Sequence, residues 1–162
     1  MKRFVALYFL YLAGLFAVFY ADTSSLSVML NTKQTGLTLF LLEKFLSPGQ
    51  INGIDILINP HYKIIISQAC NGMIPILFLY ASILAYPSRI WHKVLWMFIG
   101  YCIFVAANVG RILMVVYFVE QNGGRANFHW SHDLLGNALL MAVGLGLFIS
   151  FIQTSGKMLK AV

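Results

Sequence analysis

Charged residues are scarce in this chain, and cysteines are scarcer still. Of its 162 residues, 10% are Asp, Glu, Lys or Arg, whereas 60% are hydrophobic. An ordinary soluble domain is roughly 25% charged, so this composition argues against a soluble globular protein. Two cysteines are too few for a disulfide scaffold. The abundance of Leu, Ile, Val and Phe argues against a disordered chain, and the length fits one domain.

The few charges are unevenly divided between the two signs. Eleven Lys and Arg residues face five Asp and Glu residues, which gives a net charge of +6. Such an excess is also found in nucleic-acid-binding proteins. Here the basic residues lie at the ends of apolar stretches, where they set membrane topology. We therefore predict a lipid bilayer, and no nucleic acid, as the partner of this charge pattern.

Long apolar stretches are the main feature of the sequence. Four of them resemble membrane spans: residues 4–20, 72–86, 94–119 and 134–152. A spanning helix needs roughly 17–25 apolar residues, and the second stretch reaches that length only if it starts near Cys70. The first follows Met1-Lys2-Arg3, as in a signal peptide, but it is long and lacks a good cleavage site. We interpret it as an uncleaved anchor, and predict an all-α integral membrane protein with four or five transmembrane helices.

The positions of the basic residues predict the orientation. With a cytoplasmic N-terminus, the inside segments hold six basic residues and no acid, and the outside segments hold four basic residues and all five acids. Cytoplasmic segments normally carry the excess of Lys and Arg. We therefore predict a multi-pass protein of the inner, cytoplasmic membrane whose residues 153–162 form a basic cytoplasmic tail.

Residues 21–68 then form an extracytoplasmic segment. Its apolar part, 35–46, is too short to span a membrane and contains Glu43 and Lys44, so we interpret it as an interfacial helix. The alternative is that it joins residues 28–30 to make a fifth span. Further on, apolar residues alternate on either side of a turn at 59–61, which predicts a β-hairpin; they are Ile54, Ile56, Ile58, Tyr62, Ile64 and Ile66.

Arg111 lies where a membrane helix should be apolar. At 1.5 Å per residue it is about 12 Å short of Val119 along the helix, and an Arg at mid-bilayer costs roughly 2.5–3.5 kcal/mol. One interpretation is an anchor whose side chain snorkels to the interface. Asn108 lies three residues earlier on the same face. Because two polar groups inside one span call for a polar partner, we favour a functional site.

Cys70 and His132 are expected at the starts of two helices. Asn71 or Gly72 is expected to cap the helix that follows Cys70, where free N–H groups and the helix dipole lower a thiol pKa. Ser131 is expected to cap the last helix, so that His132 opens it. His129 stands three residues before His132.

Under this topology Cys70, Arg111 and His132 converge on one leaflet. A thiol, an imidazole and a guanidinium are the components of a cysteine acyl-transfer site: a nucleophile, a general acid/base, and a group that stabilises an oxyanion or orients the thiolate. Such a site needs no metal or cofactor, and the cationic Arg111 disfavours Zn²⁺. Cys102, half a helical turn out of phase with Arg111, is expected to be an inert thiol buried in hydrocarbon.

Three short motifs carry a family resemblance. They are Ala69-Cys70-Asn71-Gly72, Asn108-x-x-Arg111 and His132-x-x-x-Gly136. In this order, and at these helix ends, they resemble the exosortase/archaeosortase family of integral membrane transpeptidases over about residues 50–152. The hairpin before the cysteine is also similar. The chain is near the minimal core of that family and lacks the extra spans of longer members, so the subfamily and the cognate signal stay open.

The resemblance implies both residue roles and a substrate. Cys70, Arg111 and His132 would be catalytic, with supporting residues around them: Asn71, Asn108, His129 and Gly136. The substrate would be an exported protein with a C-terminal sorting signal made of a short motif, a transmembrane helix and a basic tail. Cleavage near the motif would pass the new carboxyl end to an acceptor. The predicted organisation is an anchor (1–20), the extracytoplasmic segment (21–68), a three-helix catalytic core (69–152) and the tail (153–162).

A second hypothesis is a non-catalytic subunit or chaperone of an export complex that uses Arg111 to bind an acidic partner. A channel or transporter is less well supported, because one Arg and one Asn line the spans. Replacement of Cys70 by Ser separates these classes, since only an enzyme depends on the thiol. The sequence leaves the acceptor nucleophile and the oligomeric state open.

Overall fold

The structure, a computed structural model, describes residues 2–21, 24–59, 62–67, 70–121 and 129–160. Side chains at 129–131, 133 and 157–160 are not described. The elements in chain order are α1 (Lys2–Phe19), α2 (Ser25–Leu42), β1 (Ile51–Asn52), β2 (Asp55–Asn59), β3 (Tyr62–Ile65), α3 (Met73–Ala85), α4 (Ile90–Gln121), a π-helical segment (His129–Gly136) and α5 (Asn137–Lys160).

The apolar stretches form the helices of a membrane bundle. In the described part of the chain, three segments are long and apolar enough to cross a membrane: Lys2–Phe19, Ile90–Gln121 and Leu134–Gly156. The shorter α3 is also apolar, and its 13 residues extend about 20 Å. The predicted class, an all-α membrane protein with a small hairpin, is confirmed.

The helix α2 differs from its predicted extent. It begins at Ser25 and not at Thr35, and it runs without a break to Leu42. It covers the stretch that the fifth-span alternative would join, although it is not among the three candidate spans. The helix packs against α1 and α4. Its buried face is polar, whereas several large apolar side chains are exposed.

The predicted hairpin is present and has one additional strand. β2 and β3 pair antiparallel with Ile56 opposite Ile64, and the short β1 pairs with β2 to give the order β1-β2-β3. The alternation places Ile56, Ile64 and Ile66 on the buried face. These residues pack with Leu42 and with the C-terminal half of α4, which is lined there by apolar side chains: Val109, Ile112, Val115, Val116 and Val119. This first core fixes the strand that leads to Cys70.

A second apolar core holds α3, α4 and α5 together. Its buried members are Ile76, Leu79, Ile83, Phe104, Leu140, Leu147 and Phe151. The helix α1 lies outside it, and none of the residues of α1, all of which are described, is buried. Phe16 of α1 contacts Phe78 of α3 edge to face, with ring centroids 5.7 Å apart.

The last membrane segment starts differently from the prediction. A π-helical segment, His129–Gly136, precedes α5, so His132 lies inside a helical turn and does not follow a cap at Ser131. The π-helix, with its wider i→i+5 turn, occurs mostly as a single turn joined to an α-helix, frequently at functional sites. The helix α5 continues through Lys160, so most of the segment assigned to a tail is helical.

Candidate active site

Cys70 is held in the short loop between β3 and α3. Gly72 occupies the N-cap position of α3 with φ +81°, a left-handed conformation that glycine adopts without strain. The Oδ1 of Asn71 accepts a hydrogen bond from the backbone N–H of Met73 at 2.9 Å. Both of the predicted capping residues therefore act at this helix start. The loop places Cys70 two residues before the cap.

The Cys70 thiol contacts the imidazole of His132. Sγ lies 3.3 Å from Nε2 of His132, across 62 residues of sequence. The Ser67 hydroxyl lies 3.8 Å from Sγ and donates to it. Burial of the thiol raises its pKa, but the bond to His132, the charge of that ring, the Ser67 bond and the Arg111 charge together outweigh burial and leave the Cys70 pKa below its usual value. A larger thiolate fraction makes a better nucleophile at neutral pH.

Arg111 is buried in the protein. Its exposed fraction is 2%, so the guanidinium does not snorkel to the surface of the bundle. Nη1 donates to Oδ1 of Asn108 at 3.3 Å. Nη2 donates to Oδ1 of Asn137 at 3.3 Å and lies 2.9 Å from Nε2 of His132. A buried cation with this set of polar neighbours does not fit the interpretation of Arg111 as a simple anchor.

Asn108 joins the two halves of the site. Its Nδ2 donates to the backbone carbonyl of Cys70 at 3.0 Å, while its Oδ1 accepts from Arg111. The side chain is 1% exposed. The Asn-x-x-Arg spacing, which places both residues on one face of α4, thus connects the loop of Cys70 with the guanidinium.

Gly136 leaves the space that the Arg111 side chain occupies. A Cβ at this position would lie 2.6 Å from Nε of Arg111 and 3.1 Å from its Cγ. The first distance is shorter than real Cβ contacts, so the Arg111 side chain or its surroundings would have to shift. Gly72 is similarly close to Asn108, whose Cγ would lie 3.1 Å from an added Cβ. Gly72 of the first motif and Gly136 of the third motif therefore pack closely on Asn108 and Arg111, the two polar residues of the second motif.

The structure brings Cys70, Arg111 and His132 together, with Asn71, Asn108 and Gly136 beside them. Their catalytic roles stay predictions. The side chain of His129 lies outside the described part of the structure. Cys102 is exposed on the outer surface of α4, and none of the contacts described above involves it.

Three contributors to the site were missed by sequence reasoning. Asn137 binds Arg111, Ser67 binds Cys70, and α2 contacts Asn71 through Asn31 and Gln34. The signal for Asn137 was its position directly after the glycine of the third motif. The signal for α2 was a polar residue at every third or fourth position, which places all of them on one face of a helix: Ser27, Asn31, Gln34 and Thr38.

A cavity of about 670 Å³ begins at the site and extends between α3 and α5. Arg111, His132 and Asn137 form its polar end. The rest is lined mainly by apolar side chains, among them Phe78, Leu140, Met141, Leu145 and Phe148. On α5 the lining runs from Asn137 to Phe148, about 16 Å of helix. The cavity therefore suits a molecule with one polar group and a long apolar part.

Comparison with known proteins gives one match. The family model for transmembrane exosortases matches residues 2–149 of the chain, which includes every residue of the site. No curated protein matches the chain, and neither does any solved structure.

Proposed function

The chain belongs to the transmembrane exosortase family, and from this premise we propose that it is a membrane-embedded cysteine peptidase or transpeptidase that cleaves the C-terminal sorting signal of exported proteins. One observation carries the proposal: Nε2 of His132 lies 3.3 Å from Sγ of Cys70 and 2.9 Å from Nη2 of Arg111. Nucleophilic catalysis is typically carried out by a nucleophile within hydrogen-bond reach of a base that a third group orients. Cys70, His132 and Arg111 would take these three roles.

The first half of the reaction forms a thioester. His132 accepts the proton of the Cys70 thiol, and the sulfur attacks the carbonyl carbon of the scissile peptide, so that a C–S bond forms and the carbonyl oxygen becomes an oxyanion. Arg111 donates hydrogen bonds to that oxygen, an interaction stronger in the transition state than in the bound substrate. Collapse of the intermediate breaks the C–N bond, and His132 returns its proton to the leaving amine.

The second half releases the product. A second nucleophile, water in hydrolysis or an acceptor amine in transpeptidation, attacks the thioester while His132 accepts its proton. The C–S bond breaks, and Cys70 is regenerated as the thiol. Both outcomes use the same three side chains, because the thioester is common to both.

The cavity supports a substrate that is partly embedded in the membrane. We assign its polar end to the scissile carbonyl and its apolar length between α3 and α5 to the transmembrane helix of the sorting signal. The apolar lining, which includes Phe78 of α3 and Met141 of α5, suits such a helix better than it suits a hydrophilic peptide. The basic tail of the signal would then emerge on the cytoplasmic side.

The charge distribution supports an orientation in which Cys70 faces the outside of the cytoplasmic membrane. With this orientation, two basic residues at the start of α4 lie in the cytoplasm: Arg89, directly before the helix, and Lys93, in its first turn. Sorting signals of exported proteins would then meet the site after export.

Replacement of the thiol tests this function. The Cys70→Ala variant should abolish processing of a co-expressed exported protein that ends in a short motif, an apolar span and a basic tail, at an unchanged amount of protein in the membrane. The matched variant Cys102→Ala should process normally, because Cys102 is on the outer surface of α4. Processing by Cys70→Ala at the normal rate would reject the enzyme and favour a non-catalytic subunit of an export complex.

A further inference from the structure

The helix α2 has its polar residues on the inside. Its buried face carries Ser27, Asn31, Gln34 and Thr38, each at most 7% exposed. Its other faces expose Leu26, Val28, Met29 and Phe40. Polar side chains are costly in a membrane protein unless partners satisfy them. The partners of this face therefore indicate what the helix does.

Two residues of α2 bind Asn71, the neighbour of the nucleophile. The Nδ2 of Asn71 donates to Oδ1 of Asn31 at 3.0 Å, and the backbone carbonyl of Asn71 accepts from Nε2 of Gln34 at 3.2 Å. Asn71 itself is fully buried. Since its Oδ1 already caps α3, both ends of its side-chain amide and its carbonyl are engaged.

Further hydrogen bonds fix these two residues of α2. Asn31 donates to the Ser27 carbonyl at 2.9 Å and to the Phe19 carbonyl at 3.0 Å, which ties it to the end of α1. The Oε1 of Gln34 accepts from the Tyr101 hydroxyl at 2.7 Å. The network thus joins α1, α2 and α4 to a single residue of the loop.

We propose that α2 is a positioning helix, whose Asn31 and Gln34 hold Asn71 and, through it, keep the Cys70 thiol in contact with His132. Asn108 restrains the Cys70 carbonyl from the α4 side, and α2 restrains the next residue from the opposite side. Sγ is then fixed in the loop before α3. The inference deepens the proposed function, because it assigns an orienting role to a helix outside the predicted catalytic core.

The alternative is that the polar stripe only holds α2 against the bundle. A substitution at Thr38 distinguishes the positioning role from this packing role, because Thr38 lies on the same buried face and is 1% exposed. Its hydroxyl donates to the carbonyl of Gln34, within its own helix. Thr38→Val is therefore a matched control that removes a buried polar group of α2 without touching Asn71.

The readout is the pH dependence of Cys70 alkylation in the full-length protein, in a Cys102→Ala background. We expect the paired substitution Asn31→Leu with Gln34→Met, which approximately preserves shape, to release the loop. The thiol then loses contact with His132, and the alkylation midpoint moves upward by about one pH unit, which slows alkylation about tenfold below the midpoint. Thr38→Val should leave both the rate and the midpoint unchanged.

A second variant keeps the test decisive if the pair does not fold. Gln34→Glu retains an acceptor for Tyr101 but replaces the donor to the Asn71 carbonyl with a second acceptor. We expect a midpoint shift in the same upward direction in the folded protein. The melting temperature should fall, because a carboxyl group replaces a satisfied amide at a buried position. An unchanged pH profile in the folded variants, or an equal shift in Thr38→Val, would overturn the proposal.

The alkylation readout also separates this proposal from the proposed function. It follows the thiol directly and needs no substrate. If Cys70→Ala still processes the exported protein while Gln34→Glu shifts the alkylation profile, the peptidase function fails and the positioning role stands. If Cys70→Ala abolishes processing and Gln34→Glu has no effect on the profile, the positioning role fails alone.

Discussion

Nη2 of Arg111 lies 2.9 Å from Nε2 of His132. A guanidinium has no acceptor and can only donate, so in this contact Nε2 is the acceptor and the ring proton lies on Nδ1. Nε2 also faces the Cys70 thiol, at 3.3 Å. In the proposed reaction Nε2 takes the thiol proton, and the ring becomes the cation whose charge lowers the Cys70 pKa.

In the proposed reaction, the same relationship would couple proton transfer to oxyanion binding. When Nε2 takes the thiol proton, it becomes a donor that faces another donor, and its hydrogen bond with Arg111 is lost. The guanidinium then has an N–H available at the moment when negative charge develops on the substrate oxygen. Under this proposal the N–H interacts more strongly in the transition state than in the resting protein, which is the condition for catalysis.

Arg111→Lys tests the guanidinium. Lysine keeps a positive charge, but it is a single-point donor. It cannot replace the planar fork that contacts Asn108 and His132 and that would bind an oxyanion in the proposed reaction. Loss of one oxyanion donor reduces the rate by about 10²–10³, and we expect a loss of that order. The measurement is substrate processing in membranes, normalised to the amount of protein on a blot. Near-normal processing would return Arg111 to the role of a membrane anchor.

The pH dependence of Cys70 alkylation tests the contact with His132. In the native protein His132, Ser67 and Arg111 outweigh burial and hold the Cys70 pKa below its usual value. The substitution His132→Leu removes the main opposing group and keeps the site apolar, so burial dominates and the pKa rises above that of a free thiol. We expect the alkylation midpoint to move to higher pH than that of the unfolded chain. A midpoint that stays at its native value would mean that the imidazole does not influence the thiol.

Labelling of the cysteines tests the orientation. A membrane-impermeant thiol reagent added to intact cells should label Cys70, because the distribution of basic residues places it on the outer side. Single-cysteine variants give the comparison: the variant that retains Cys102 should stay unlabelled, since that residue is in the middle of the apolar helix α4. Labelling of Cys70 that requires permeabilised cells would reverse the orientation.

The features that the sequence predicted correctly depend on local patterns. The continuous apolar run of α4 predicts a helix, and the alternation around Ile56 and Ile64 predicts a hairpin. Neither prediction depends on what the element packs against. The polar groups Cys70, Arg111 and His132 stood out because each is unusual at membrane depth. Their approach to one another followed from the order of the spans alone.

The features that were missed depend on distant partners. The helix α2 was predicted too short because Asn31 and Gln34 interrupt its apolar run; they are satisfied by Asn71, 40 residues from Asn31. The π-helical segment also has no local signature. Gly136 of this segment was among the predicted supporting residues, but its close packing on Arg111 of another helix could not be read from the sequence around it.

Gly136→Ala tests whether the exact path of the Arg111 side chain matters. The added Cβ would lie 2.6 Å from Nε, so we expect the Arg111 side chain to shift and its contact with His132 to be lost. Alanine is favoured over glycine in a helix by about 1 kcal/mol, and no loss of helix stability is therefore expected from the substitution itself. We expect processing to fall by about 10²-fold, as for a lost oxyanion donor, with the protein still folded in the membrane.

Gly146→Ala is the matched control for this substitution. Gly146 lies in α5, ten residues after Gly136, and a Cβ there would meet nothing within 4 Å. The substitution has the same intrinsic effect on helix propensity as Gly136→Ala, but it does not introduce a contact with Arg111. We expect normal processing and an equal or higher melting temperature for this variant. If both variants process normally, the guanidinium tolerates displacement and its contact with His132 is not required; if both lose activity equally, the effect belongs to the helix and not to Arg111.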